Sequence, residues 1–217
     1  MTGCWIALEG GEGSGKSTQA RRLASALGAV LTREPGGTAL GARIRELLLS
    51  PAEPAAGAAG AAGAAGAAGM DPRTETLLMA ADRAEHFAAV ISPALAAGLV
   101  VVSDRSAWSS LAYQGYAREL GAGAVRGISD WAMHGRWPDL AVLVDVPPAV
   151  AAGRLAAAGR VPDRLEAEGA SFHGLVRAGF AALAADSPDR WVVVDGDGSE
   201  EAVAARVLAA VNDRLAL

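Results

Sequence analysis

Near its start the chain reads Gly10-Gly11-Glu12-Gly13-Ser14-Gly15-Lys16-Ser17. This run matches the pattern G-x-x-x-x-G-K-[ST], whose glycines let successive backbone N–H groups turn toward one anion. Of the 19 Lys and Arg residues, 18 are Arg and the only Lys is Lys16. A compact ammonium can reach between two phosphates, whereas a planar guanidinium is too wide for such a loop. These residues, together with Thr18, are therefore predicted to bind a nucleoside triphosphate.

The flanks of this loop supply the context that the pattern requires. Residues 4–8 form an apolar run typical of a buried strand, and residues 17–27 have the pattern of a helix. The helix would add the positive end of its dipole to the phosphate site, and Ser17 would offer a hydroxyl to Mg²⁺. The alternative is a glycine-rich turn that contains a Lys by chance, and the order of strand, loop and helix speaks against it.

Short apolar runs alternate with helical patterns along the rest of the chain, which predicts a parallel sheet covered on both faces. The predicted strands are residues 4–8, 29–32, 99–103, 140–145 and 191–195. The predicted helices are residues 17–27, 39–49, 72–97, 108–118, 122–134, 149–157, 168–185 and 200–214. The predicted fold is therefore α/β, a three-layer P-loop NTPase fold with a five-stranded parallel sheet, flanking helices and a small mobile lid at about residues 154–168.

The longest predicted helix, residues 72–97, has a clear start signal. Asp71 is placed to cap it, and Pro72 suits its first position. Its apolar spacing predicts a core-facing stripe made of Leu77, Ala81, Ala84, Ala88, Ile91 and Leu95.

Composition narrows the class of protein. The 217 residues are expected to form a single P-loop domain, 1–217, and the net charge of −5 argues against nucleic-acid binding. Five Ala-Ala-Gly triplets occupy 55–69, so residues 51–70 are predicted to be a low-complexity loop insert and not a membrane span. The single Cys4 excludes an internal disulfide framework, and the chain enters its first strand without a signal peptide. A cytoplasmic protein without membrane partners is expected.

Polar side chains follow the third predicted strand and the helix after it, and ligands of parallel sheets gather at such strand ends. Asp104 could hold Mg²⁺ through water and Arg105 could clamp a phosphate, although a mutual surface salt bridge is the alternative. Ser106, Ser110 and Tyr113 share one helix face by their spacing. That face suits a small polar ligand or, equally, a solvated surface.

Two more segments carry arginines toward the same edge. Met79 and Arg83 lie one turn apart, which fits a pocket wall or a surface Arg whose stem lies over apolar neighbours. Residues 159–166, with Arg160 and Arg164, suit a mobile flap, and the alternative is a solvated linker. The flap interpretation is favoured because the phosphate loop contains Glu12 and no Arg. The positive charge that neutralises a transferred phosphoryl group must therefore come from another segment.

The remaining candidates are weaker. Arg33 belongs to a charged loop, residues 32–38, that could also be an ordinary strand-to-helix turn. His86, His134 and His173 show no ligand spacing and are predicted to be structural, so no protein-held metal site is expected.

Together these segments resemble the thymidylate kinase family, the nucleoside monophosphate kinases that phosphorylate dTMP. The resemblance spans nearly the whole chain outside the Ala/Gly insert. In family order it is carried by LEGGEGSGKST, TREPGGT, LLMAADRAEH, SDRSAWSSLAYQGYAREL, WPDLAVLVDV, and DRLE followed by Phe172-His173. Arginines in the flap and none in the phosphate loop resemble the bacterial subtype.

The resemblance implies ATP as phosphoryl donor, dTMP as acceptor, Mg²⁺ with the ATP, and a homodimer that feeds dTTP synthesis. It implies that Glu12 bonds the deoxyribose 3′-hydroxyl and that Arg105 holds the dTMP phosphate, helped by Arg33. It further implies that Arg83 donates to thymine O4, that Ser110 contacts N3, and that Tyr113 stands where a ribose 2′-hydroxyl would lie. Gln114 and Met79 are placed in the same substrate site.

For the donor side, the resemblance implies that Arg160 and Arg164, with Arg154, cover the ATP phosphates. Lys16, Arg105 and these flap arginines would then carry catalysis. Arg160→Ala or Arg164→Ala is accordingly expected to lower kcat with little change in the KM of the nucleotides.

One position departs from the family pattern. Met79 stands where the family commonly has an aromatic ring that stacks on thymine, and a thioether can still pack on a ring face. A kinase for another nucleoside monophosphate therefore stays an alternative. So do a nucleotide-binding switch or scaffold without an acceptor site and a homologue that binds ATP but transfers nothing.

Overall fold

The computed structural model describes residues 3–50, 70–159 and 161–215. Most of the predicted insert, residues 51–69, and the predicted flap residue Arg160 lie outside this description. Within the described ranges, no helix has both the length and the apolar character needed to cross a membrane.

In the described part of the chain, five parallel strands form one sheet in the order β2-β3-β1-β4-β5. They are β1 (Cys4–Glu9), β2 (Val30–Arg33), β3 (Val100–Asp104), β4 (Leu140–Asp145) and β5 (Trp191–Asp195). Each begins and ends within one residue of its predicted bounds. Leu8 of β1 pairs with Asp104 of β3, so the loops that follow these two strands leave the sheet side by side.

Helices cover both faces of the sheet, which confirms the predicted three-layer fold. They are α1 (Lys16–Leu27), α2 (Ala39–Leu49), α3 (Pro72–His86), α4 (Ser92–Ala96), α5 (Ala107–Ser110), α6 (Ala122–Ala132), α7 (Pro148–Ala157), α8 (Ala170–Asp186) and α9 (Glu200–Leu215). π-helical turns, Phe87–Ile91 and Leu111–Ala117, continue α3 and α5. The first of them precedes Pro93, whose ring crowds the carbonyl four residues earlier, and the wider turn leaves room for it.

Two apolar cores lie on opposite faces of the sheet. Trp5 of β1 packs with Trp108, Phe180 and Trp191 on one face. Ile6 of β1 lies on the other face, where residues of α1 and α9 cover it. Both faces of the strands are thus buried, in agreement with their unbroken apolar sequence.

The start of α3 confirms its predicted cap. Asp71 Oδ1 accepts hydrogen bonds from the backbone N–H groups of Arg73 at 2.9 Å and Thr74 at 3.2 Å. Pro72 lies within the first turn, where its missing N–H costs nothing.

The buried face of α3 differs from the predicted core stripe. Leu77 is 59% exposed, and Ala81 and Ala88 are exposed as well, whereas Ile91 is buried as predicted. The inner face carries instead Glu75, Thr76, Ala80, Asp82, Arg83 and His86. Periodicity alone could not show this, because these polar side chains are buried through bonds to partners far away in the sequence.

Candidate active site

The phosphate loop joins the end of β1 to the start of α1. Gly13 has φ 72°, and a Cβ there would lie 2.5 Å from the carbonyl oxygen of Ala151, so no larger residue fits. Gly15, with φ 86°, caps α1. Lys16 Nζ folds back and donates to the carbonyl of Gly11 at 3.2 Å. This is the geometry of an anion-binding loop at a helix N-terminus.

Arg105 lies directly above this loop. It leaves β3 with φ 73°, and its backbone N–H donates to the carbonyl of Leu8 at 2.9 Å. Its guanidinium donates to Glu12 Oε1 at 2.5 Å, to the Tyr113 hydroxyl at 2.9 Å and to the Ser109 hydroxyl at 2.9 Å. Burial alone would lower the pKa of Arg105, but Tyr113 and Glu12 more than offset this, and the pKa lies above its ordinary range. Arg105 therefore pairs with Glu12, and the expected alternative of a salt bridge with Asp104 is wrong.

Glu12 is shared between the two cations of the loop region. Its Oε2 is 3.6 Å from Lys16 Nζ, and its Oε1 accepts from Arg105 and, at 2.7 Å, from the Tyr113 hydroxyl. Burial alone would raise the pKa of Glu12, but Lys16, Arg105 and the Tyr113 hydrogen bond hold it well below its ordinary range. Burial also lowers the pKa of Lys16, and repulsion from Arg105 adds to this effect.

Arg83 of α3 lies deeper in the same region and is 2% exposed. Its Nε donates to Glu34 Oε2 at 3.0 Å, its Nη1 to the Ser129 hydroxyl at 3.2 Å and its Nη2 to the Ser110 hydroxyl at 2.9 Å. The alternative of a surface Arg is therefore wrong. A guanidinium has five N–H groups, so each Nη keeps a second one for a ligand.

A chain of buried side chains that is not among the predicted site residues holds Arg83 in place. Glu34 pairs with Arg83 and contacts His86 Nδ1 at 3.1 Å, while His86 Nε2 lies 2.6 Å from the Thr32 hydroxyl. Burial alone would raise the pKa of Glu34, but Arg83 and His86 lower it below its ordinary value. The loop after β2 therefore acts through Glu34. Glu34 and Arg83 are 49 residues apart with α2 between them, so no local pattern in the sequence indicates that they pair.

Gln114 lines the cleft beside Met79 and Arg83 and is 1% exposed. Its Nε2 donates to Glu75 Oε1 at 2.7 Å. Its Oε1 has no hydrogen-bond partner among the residues that the structure describes. A buried acceptor without a donor is uncommon in native proteins, and in a cleft it indicates a place for a ligand donor or a water.

Glu9, the last residue of β1, carries a second buried carboxyl and is not among the predicted site residues. It is 0% exposed and accepts hydrogen bonds from the Ser106 hydroxyl at 2.6 Å and the Ser109 hydroxyl at 2.5 Å. Burial raises the pKa of Glu9 to about 7, although the two hydroxyls partly offset the rise. Ser109 connects Glu9 to Arg105, because its oxygen also accepts from that guanidinium.

Replacing Glu9 by Gln is expected to change how stability depends on pH. The folded protein keeps a proton on Glu9 up to a pKa of about 7, whereas the unfolded chain loses it near 4.5. The contribution of Glu9 is thus fully present below pH 4.5 and is lost as pH rises toward 7. The free energy of unfolding of Glu9→Gln minus that of the wild type should therefore rise by about 3 kcal/mol across this window.

Urea unfolding at several pH values measures this difference. The exposed Glu46→Gln is the matched control, since its carboxyl stays in water in both states. A difference between Glu9→Gln and wild type that stays constant with pH would contradict the assignment.

Arg154 of α7 lies against the outer side of the phosphate loop. Its Nη1 donates to the carbonyl of Ser14 at 3.2 Å, and its Nη2 donates to the carbonyls of Gly196 at 2.9 Å and Gly198 at 3.4 Å. Its Nη1 would be 3.7 Å from a Cβ at Gly15. No carboxylate in the described ranges forms a salt bridge with it, so its charge is available to an anion in the loop.

Arg164 lies elsewhere than predicted. It is 4% exposed, its Nη2 is 2.6 Å from Glu75 Oε2, and its Nε donates to the carbonyl of Leu48 at 2.7 Å. It does not line the cleft. The predicted contact between Arg164 and the ATP phosphates therefore does not fit this arrangement, in which the side chain anchors the flap to α2 and α3. The predicted role of Arg160 falls outside the described residues.

A single cleft of about 1070 Å³ connects these groups. Most of the predicted site residues line it: Glu12, Gly13, Ser14, Gly15, Lys16, Ser17, Thr18, Arg33, Met79, Arg83, Asp104, Arg105, Ser110, Tyr113, Gln114 and Arg154. Gly10 and Gly11 lie behind the loop and contribute carbonyl oxygens to Arg105 and Lys16. Arg45 was not predicted, and it lines the cleft near Arg33 with its Nη1 on the carbonyl of Pro35 at 3.1 Å.

Ser17 and Asp104 form the part of the cleft that fits Mg²⁺. Ser17 is exposed and lines the cleft. Asp104 Oδ1 is buried and has no hydrogen-bond partner within the described part of the chain. A hydroxyl and an orphan carboxylate oxygen are hard ligands of the kind that a hydrated Mg²⁺ binds directly or through water.

Comparison with known proteins gives a consistent result. The family model for thymidylate kinase matches residues 8–207. A thymidylate kinase of Leifsonia xyli subsp. xyli is 46% identical over 218 residues, covering 98% of this chain and 96% of that protein. A thymidylate kinase of Synechococcus sp. strain JA-2-3B'a(2-13) is also 46% identical over 218 residues, with the same coverage of both chains.

Solved structures agree with these matches. The crystal structure of thymidylate kinase from Ehrlichia chaffeensis superposes with a TM-score of 0.74 at 28% sequence identity. The match covers 97% of this chain and 100% of that one.

Proposed function

Because this chain belongs to the thymidylate kinase family, we propose how its cleft divides between the two nucleotides of that family's reaction. The chain phosphorylates dTMP, and ATP is the donor. The single cleft that runs from Lys16 past Arg105 to Arg83 supports a division in which the two substrates meet near Glu12.

The phosphate loop and α7 form the donor side. Lys16 and the backbone N–H groups of the loop hold the β- and γ-phosphates of ATP, and Arg154 covers them from the outer side. Ser17 and Asp104 hold Mg²⁺, which neutralises charge on the phosphate oxygens when it is bound with ATP. Arg160 stays a proposed contact of the same phosphates.

Arg105 holds the phosphate of dTMP through N–H groups that in this structure bond to Glu12 and Tyr113 and are released to the anion. Arg33 and Arg45 line the same part of the cleft and add positive charge on its outer wall. Burial lowers the pKa of Arg45, and the neighbouring Arg33 adds to this effect, so an arriving anion relieves a local excess of positive charge. Glu12 accepts the deoxyribose 3′-hydroxyl, and Tyr113 fills the space of a 2′-hydroxyl.

Arg83 and Gln114 read the edge of the thymine base. Arg83 donates to O4 through a free N–H, and the unpartnered Gln114 Oε1 accepts from N3–H. The resemblance implied that Ser110 contacts N3, but its oxygen already accepts from Arg83, so we assign Ser110 to orienting that guanidinium. Met79 packs on the ring face.

The chemistry follows from this placement. The acceptor is already an anion, so the transfer needs no strong general base, and catalysis is alignment plus neutralisation of charge. Arg105 aligns the acceptor oxygen against the repulsion between two anions. Lys16 and Arg154 neutralise the moving phosphoryl group.

The pairing of a fixed donor, Arg83, with a fixed acceptor, Gln114, supports thymine as the base, and a substrate panel tests it. In an ADP-release assay with ATP and Mg²⁺, dTMP should give the highest kcat/KM. The value for dUMP should be about tenfold lower, because one methyl contact is lost. The value for dCMP should be at least about 100-fold lower, because its N3 lacks a proton and its N4 amino group faces Arg83.

The nucleoside thymidine, which lacks the acceptor phosphate, is the negative control and should support no ADP release from ATP above background. If kcat/KM for dCMP lies within tenfold of that for dTMP, the assignment of Arg83 and Gln114 to the base edge is wrong.

We further propose a homodimer formed through an exposed apolar strip on α3 and α6. The strip contains Leu77, Ala81 and Ala84 of α3 with Ile128 and Trp131 of α6. Trp131 is 82% exposed, and exposed apolar patches of this kind mark interaction sites that a second copy of the chain would cover. Sedimentation velocity tests this directly.

A cytoplasmic location is proposed because the single cysteine, Cys4, is a free thiol, which is usual in reducing compartments.

A further inference from the structure

Glu75 lies in the first turn of α3, behind the base end of the cleft, and is 0% exposed. Its Oε2 is 2.6 Å from Arg164 Nη2 and 3.3 Å from Arg118 Nη2, and its Oε1 accepts from Gln114 Nε2 at 2.7 Å. Arg118 also pairs with Glu168 at 2.5 Å. Glu75 does not line the cleft, and only Gln114 connects it to the proposed substrate.

The guanidinium groups of Arg118 and Arg164 both pair with Glu75, as a buried carboxylate requires. A carboxylate can only accept hydrogen bonds. The end of the Gln114 amide that faces Glu75 must therefore be the NH₂ group, and the amide oxygen is the end that remains. That oxygen has no partner in the described ranges.

We propose that Glu75 is a positioning residue for base selectivity, which fixes the orientation of the Gln114 amide so that an acceptor oxygen, and never the NH₂ group, meets the base. This proposal rests on the assignment of Gln114 to N3 of the base made above. A pyrimidine with N3–H, such as thymine or uracil, can donate to this oxygen. Cytosine presents a lone pair at N3, which the oxygen repels.

Without the charge on residue 75, the orientation is no longer determined. The amide of Glu75→Gln can accept from Gln114 or donate to it, so the Gln114 amide can turn over and present its NH₂ group to the cleft. The ratio of kcat/KM for dTMP to that for dCMP should fall by about 10- to 100-fold, the range expected when one buried hydrogen bond is lost or gained. Both parts should change, with dTMP becoming poorer and dCMP better.

Two variants separate orientation from stability. Arg118→Gln removes a different partner of Glu75, so it should lower the Tm. Arg164 still pairs with Glu75 in this variant, so the ratio should stay within about twofold of wild type. Glu75→Asp keeps an acceptor-only group and should also retain the preference for dTMP. If the ratio falls equally in Glu75→Gln and Arg118→Gln, the role is merely structural and the proposal is overturned.

A third variant separates this proposal from the assignment of Gln114. Gln114→Leu should lower the ratio if Gln114 reads N3. If it leaves the ratio unchanged, the assignment of Gln114 itself is wrong. If Gln114→Leu lowers the ratio and Glu75→Gln does not, the base contact stands and the role of Glu75 is refuted.

The exchanged pair, Glu75→Gln with Gln114→Glu, keeps the proposal testable if Glu75→Gln alone does not fold. It retains one buried carboxylate, which accepts from the new amide and offers its other oxygen to the base. It should therefore prefer dTMP over dCMP as the wild type does, and binding of the two monophosphates by titration calorimetry should show the same preference. Loss of the preference in the exchanged pair would overturn the proposal.

Discussion

Arg105→Gln should lower kcat/KM for dTMP by about 10³-fold, with little change in the KM for ATP. The guanidinium is the charged group at the proposed acceptor side that reaches Glu12, Tyr113 and Ser109 at the same time. Without it, the dTMP phosphate would approach the Glu12 carboxylate with no fixed positive charge between them. Steady-state ADP release with dTMP as the varied substrate measures the loss.

Arg126→Gln is the matched control for removing an arginine. Arg126 Cζ lies over the rings of Trp108 and Trp137, 5.2 Å and 4.8 Å from the respective ring centroids. Arg126 does not line the cleft. Its kcat/KM should stay within about twofold of wild type, although its Tm should fall as the cation–π contacts are lost. If Arg105→Gln loses less than tenfold in kcat/KM, the acceptor phosphate is held elsewhere.

Arg154→Ala should lower kcat by about 10²- to 10³-fold, whereas Arg164→Ala should leave kcat close to wild type. Arg154 lies on the phosphate loop without a carboxylate partner in the described ranges, so its charge can act on the phosphoryl group. Arg164 is committed to Glu75 and the Leu48 carbonyl. Removing it should instead cost about 3–5 kcal/mol of stability, because Glu75 loses a partner inside the protein.

Single-turnover kinetics and thermal unfolding of the two variants distinguish these effects. Arg160→Ala belongs in the same series, since Arg160 is also proposed to contact the ATP phosphates. A large drop of kcat in a well-folded Arg164→Ala protein would show that the flap rearranges during the reaction and brings Arg164 to the phosphates.

Much of this architecture could be predicted because its signals are local. The strands are unbroken apolar runs, and all five lie within one residue of their predicted bounds. The phosphate loop could be predicted for a similar reason, since Gly13 and Gly15 adopt conformations that other residues resist. That Asp104 and Arg105 line the cleft could be predicted from the rule that ligands of parallel sheets bind at strand ends.

The rest could not be predicted because it depends on pairs of residues that are distant in the sequence. Glu34 and Arg83 meet across 49 residues, and Glu75 and Gln114 across 39. Each of these polar side chains is of a type usually found at the surface, and only the fold shows that the members of each pair bond to one another in the interior. For the same reason the apolar spacing of α3 predicts the wrong inner face, and residue type alone does not show that Arg164 pairs with Glu75.

The carboxylate that Lys16 and Arg105 share has a consequence for what the empty enzyme can bind. Glu12 already occupies both cations, so a small free anion such as chloride gains little by entering, because it must displace Glu12 for a single contact. A nucleotide brings several phosphate oxygens at fixed spacing, and its hydroxyl can donate a hydrogen bond to the released Glu12 carboxylate. Discrimination against the salts of the cell is thus provided by an acid that the protein itself supplies.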